Sequence, residues 1–138
     1  MRRVMSGAVL VALGVLLAGC VGEPSPFDQA RTADDRVPAE AVKYIQGADV
    51  ASSRYQGDAD GHRLYVLRGT GEMKVCLVYT DGTADGSLSS CSGGTWLKLS
   101  PANGSEFEVR LGGFTDEPAA GDVQISRWVR QTREGRDG

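Results

Sequence analysis

The sequence predicts a mainly β (α+β) domain: an antiparallel meander of six or seven short strands, curved or barrel-like, with one N-terminal helix packed on it. Three observations carry this. Residues 106–111 alternate strictly, Phe107, Val109 and Leu111 on one side and Glu106, Glu108 and Arg110 on the other, the signature of a half-buried strand. Turn-forming pairs recur at hairpin spacing, and 19 glycines suit so many reversals. Strands and helices do not alternate as they do in parallel nucleotide-binding sheets.

The helix is expected over 37–46. Asp34 or Asp35 is placed to cap it, Pro38 suits the first turn, and Gly47 marks its end. Ala41, Val42 and Ile45 share one face, which must dock because so short a helix is unstable alone. Strands are expected at 54–56, 62–68, 73–80, 87–92, 95–99, 106–111 and 123–129. Asp60-Gly61 is the strongest hairpin signal, since both residues tolerate positive φ. In the last strand Val123, Ile125 and Val129 are expected on one face and Trp128 on the other.

The first twenty residues carry an address. Arg2 and Arg3 precede an apolar run, residues 4–17, which closes on Leu17-Ala18-Gly19-Cys20. Charged, then apolar, then small is the order of a secretory signal, and the run is shorter than the ~20 residues a transmembrane helix needs. With the cysteine in place, the segment resembles the lipobox of bacterial lipoproteins. The composition also resembles that of small lipoproteins of high-GC Gram-positive bacteria. The resemblance implies cleavage before Cys20, a diacylglyceryl group on its sulfur, and attachment to the outer face of the cell membrane. The chain then divides into a signal peptide (1–19), a lipidated cysteine with a polar tether (20–36), a single domain (37–132) and a frayed tail (133–138).

Charge and cysteines narrow the partners. A formal net charge of −3 without a basic block excludes nucleic acid as a natural ligand and leaves membrane attachment to the lipid. With Cys20 acylated, Cys76 and Cys91 remain, symmetric about the turn-rich 81–86 segment. In an oxidising compartment such a pair reads as a disulfide across a hairpin. A redox centre would place its cysteines as Cys-x-x-Cys.

Candidate chemistry is sparse. Asp58 and Asp60, and likewise Asp81 and Asp85, faintly echo calcium loops, but the twelfth position counted from Asp58 is Gly69, without a ligand. Hairpin turn chemistry explains both pairs. His62 is the only histidine, too few for zinc, and it begins a strand. No serine lies in a Gly-x-Ser-x-Gly elbow. Gly69-Thr70-Gly71 lacks the Gly-Lys-Ser and helix of a phosphate loop, and Asn103-Gly104-Ser105 reads as a turn. Trp96 and Trp128 are the candidate ligand or partner face. A membrane-anchored, non-enzymatic binding, scaffolding or sensing module without a cofactor is therefore expected, its partner an envelope protein or cell-wall ligand. Two alternatives stand beside it. One is an envelope hydrolase using His62, a serine or carboxylates among Glu72, Glu106, Glu108 and Asp116. The other is an inhibitor-like module presenting the loop between Cys76 and Cys91.

Overall fold

The computed structural model describes residues 24–133, which fold into two four-stranded antiparallel sheets. The first holds β1 (Ala48–Ala59), β2 (His62–Gly69), β3 (Val75–Thr80) and β4 (Ser87–Ser92), side by side in chain order. The second is built from β5 (Trp96–Leu99), β6 (Ser105–Arg110), β7 (Val123–Gln124) and β8 (Val129–Arg133), in the order β5-β6-β8-β7. The mainly β class is as expected, but one meander has become two sheets. The chain leaves β4 through Gly93-Gly94 and begins the second sheet at β5.

The main core lies between the sheets. Leu64, Val66, Val75, Leu77 and Tyr79 face Leu97, Leu99, Phe107, Val109 and Val129. The opposite face of the first sheet presents Tyr65, Leu67, Cys76 and Val78 to Val37 and Ala41 of the N-terminal segment. β2 and β3 are thus covered on both sides, which is why they are almost continuously apolar while β6 alternates. Each fully buried Val or Leu contributes about 1.5–3 kcal/mol relative to an exposed one. Asp60 and Gly61 join β1 to β2 with φ of +54° and +74°, the double left-handed turn their sequence predicts.

Three expectations are corrected. The helix is a single turn, α1 (Ala39–Val42), with Pro38 at its N-cap. Neither Asp34 nor Asp35 caps it: the Asp35 carboxylate instead accepts the N–H groups of Thr32 (2.7 Å) and Tyr55 (2.8 Å). Burial of Val37 and Ala41, more than helix propensity, holds this turn in place.

The polar tether is the second correction, from residue 24 onward. Ser25 and Asp28 cap a 3-10 turn, Pro26–Asp28, and Thr32 and Asp35 cap another, Ala33–Asp35. Ser and Thr followed three residues later by an acid satisfy backbone groups reciprocally, so a segment poor in apolar residues acquires local structure. Pro26 is buried, Phe27 packs against the main core, and Arg31 donates to the Ser53 hydroxyl at 3.1 Å.

The strand at 123–129 is the third. It splits into β7 and the start of β8, because the Ser126 hydroxyl accepts the N–H groups of Trp128 and Val129 (both 3.1 Å) and reverses the chain. Val123 is consequently exposed while Val129 is buried. Gly57 makes room for this turn: with φ +150°, a Cβ there would lie 2.7 Å from Ile125 Cγ2.

Candidate functional site

The outer face of the second sheet is where exposed aromatic and charged groups meet. β5 alternates, Leu97 and Leu99 inward, Trp96 and Lys98 outward. Register sets Trp96 opposite Arg110 and Lys98 opposite Glu108. Trp96 is 54% exposed and forms a ridge lining two grooves. One, about 590 Å³, is bounded by Trp96, Lys98, Glu108, Arg110 and Gly112-Gly113. The other, about 390 Å³, runs along Ser90, Cys91, Ser92 and Gly94.

Ion pairs order this face. Lys98 Nζ lies 3.3 Å from Glu106 Oε1, and Arg110 Nε donates to Glu108 Oε1 at 3.0 Å. Behind them, residues 111–122 fold back over the sheet. Phe114 lies between the guanidinium groups of Arg110 (4.5 Å) and Arg130 (4.2 Å). Arg130, only 5% exposed, donates to the Asp116 carboxylate and, at 2.7 Å, to the Asp116 carbonyl. Such a buried cation is tolerable only because it is paired and covered. The Asp116 backbone N–H and the Arg130 guanidinium hold the Asp116 carboxyl below the usual range. Nothing in the local sequence pattern announces this stack, since Phe114 lies in a loop.

The two tryptophans do not form one platform. Trp128 is 7% exposed, and its indole N–H donates to the Pro24 carbonyl at 3.0 Å. The Trp96–Trp128 face is therefore corrected to a ledge built around Trp96 alone. The N-terminal segment covers Trp128, a contact between residues 104 positions apart.

The other candidates have defined partners. Cys76 and Cys91 are directly opposed in the β3–β4 register, Cα atoms 4.0 Å apart, and form the expected disulfide. The His62 ring stacks on Tyr79, centroids 4.0 Å apart. Its Nδ1 lies 2.9 Å from the Asp60 carbonyl, an acceptor, so Nδ1 carries the proton. Among the described residues His62 bonds no serine hydroxyl; that of Ser87 is shared with Thr80 and Thr83. His62, Tyr79, Leu88 and Pro101 border a pocket of about 350 Å³. Asp58 accepts from the Tyr55 hydroxyl, Asp60 from Ser105 and Gln131, and Asp81 from the N–H and hydroxyl of Thr83. Among the described residues no three His, Cys, Asp or Glu gather as a metal site, and no helix is long and apolar enough to cross a membrane. Cys20 lies outside the described residues. Comparison with protein-family models, curated proteins and solved structures found no match.

Proposed function

We propose that the chain is an exported, lipid-anchored, non-enzymatic binding module of the cell envelope, held at the membrane through Cys20 and making its contact through the Trp96 ledge. The anchor is supported by the order of Arg2-Arg3, the apolar run and Leu17-Ala18-Gly19-Cys20. The contact face is supported by one observation above all: Trp96 stands 54% exposed and lines two grooves, with Lys98, Glu108 and Arg110 beside it. A large amphipathic ring among charged groups is what interface anchors look like.

The test is a photo-crosslinking amino acid placed at position 96 or, for comparison, at position 88, in cells producing the full chain. Crosslinks concentrated at 96 and reduced by Cys20→Ser support the reading. Crosslinks only from 88, on the His62–Tyr79 side, would discard the Trp96 ledge as the contact face.

A further inference from the structure

We infer that the domain stands on the membrane with a defined end down: the end carrying Trp128, Met73 and Trp96 rests on the anionic headgroup surface of the leaflet that holds the anchor. This deepens the reading above, rests on its lipid anchor, and names phospholipid as what the Trp96 ledge meets.

The first argument is reach. Three residues, 21–23, separate Cys20 from Pro24. At no more than about 3.6 Å per residue, four steps keep Cys20 within roughly 15 Å of Pro24. Pro24 is itself fixed to the domain, its carbonyl bonded to Trp128, with buried Pro26 and core-packed Phe27 following. A domain of this size is roughly 35 Å across. So short a leash does not let it turn its other end to the bilayer.

The second is strand register. β8 starts at Val129, opposite Val109, and ends at Arg133, opposite Ser105. Trp128 therefore lies at the end away from Ser105 and from Asp60, which Ser105 contacts. The same pairings bring the β2–β3 turn (70–74), the link at 93–95 and residues 111–113 to the Trp128 end. The turns at 60–61, 81–86 and 101–104 go to the other.

The third is the sorting of charge. At the Trp128 end, Arg68, Lys74 and Arg127 are exposed and, among the described residues, in no ion pair; they balance Asp28, Asp49 and Glu72, while Asp116 is paired with Arg110 and Arg130. The far end gathers Asp58, Asp60, Asp81 and Asp85 against Arg63 and the strand-end position Arg133. Electrostatic force from anionic lipid fades within a Debye length, about 8 Å in physiological salt, so the balanced end can rest on the surface while the acidic end is held beyond the reach of its repulsion. Trp96 and Met73, exposed at this end, add an interfacial aromatic and an apolar contact. Leu88 and Val123, exposed toward the other end, are aliphatic. The orientation presents the 81–86 turn and the His62–Tyr79 pocket outward.

The experiment uses the full mature chain, extracted from membranes and reconstituted in phosphatidylglycerol-rich vesicles. Part of the phospholipid is brominated near the headgroup end of its chains, and mass spectrometry of residue 20 is read in parallel. Tryptophan emission should be lower in the brominated vesicles than in unbrominated ones, as expected of an indole seated at the headgroup level. Trp96→Phe should lose that quenching, because the remaining Trp128 is buried. Equal quenching of both proteins, or quenching of neither, with Cys20 acylated, overturns the orientation and leaves the anchor standing. An unacylated Cys20 removes the anchor, and the proposal with it. Crosslinks from position 96 to protein or glycan, with none to lipid, also overturn it.

Discussion

Replacing Asp35 by Ala should unlatch the N-terminal segment from the sheets. The carboxylate is 7% exposed and holds two backbone donors, Thr32 at 2.7 Å and Tyr55 at 2.8 Å, with the Thr32 hydroxyl at 3.3 Å. Hydrogen bonds to a charged group are worth about 1.5–3 kcal/mol each. Two lost together, lessened by water reaching the vacated site, cost about 3 kcal/mol. For a domain of this size that lowers Tm by roughly 12 °C. Thermal melts followed by near-ultraviolet circular dichroism measure it. Asp35→Asn, which keeps one acceptor, should fall between. The pH dependence is a second check. Burial raises the Asp35 carboxyl, but the Thr32 and Tyr55 N–H groups, the Thr32 hydroxyl and the Arg54 charge outweigh burial and hold it below the ordinary range. Its contribution is therefore complete above about pH 4 and is lost as pH falls through the lower folded value. The gap between wild type and Asp35→Ala should narrow in acid. A gap below about 1 kcal/mol at neutral pH, or one that widens in acid, refutes the reasoning.

Removing the disulfide by Cys76→Ala with Cys91→Ala should cost about 3 kcal/mol in denaturant titrations, the loop entropy of its 15-residue separation. Trp128→Phe deletes the bond to Pro24 and should speed tryptic cleavage after Arg31 while global stability falls by only about 1 kcal/mol. Gly57→Ala forces a Cβ against Ile125 and should destabilise by about 1–3 kcal/mol, with Ile125→Ala in the same chain recovering part of the loss. Trp96→Ala should leave the melting curve within about 0.5 kcal/mol of wild type yet abolish the crosslinks made from a photo-crosslinking residue at the neighbouring position 98, outward on the same strand.

What was legible in the sequence was local. β6 showed itself by alternation, the 60–61 turn by two residues suited to positive φ, and the Cys76–Cys91 pair by symmetry about the 81–86 turn. The fold's departures come from contacts that local patterns do not carry. Trp128 looked available because its cover, Pro24, is 104 positions away. The first half of β1, with Asp49, Ala51, Ser52 and Ser53, has little strand character of its own. The Ser52 hydroxyl fits it to β2 by accepting the Arg68 N–H at 2.7 Å through an irregular register. Residues 24–36 read as spacer because composition registers their charges and overlooks their paired caps. At the candidate site Trp96 was visible as an aromatic on an alternating strand. The Arg110–Phe114–Arg130 stack behind it was not, because a loop phenylalanine has no period to reveal which face it will cover.

The most direct test of the account is peptide mass spectrometry of the protein extracted from membranes. The account predicts a tryptic peptide that begins at Cys20, ends at Arg31 and carries a diacylglyceryl group. An unmodified peptide running from Val4 through Cys20 to Arg31, or a mature chain starting elsewhere, would contradict it.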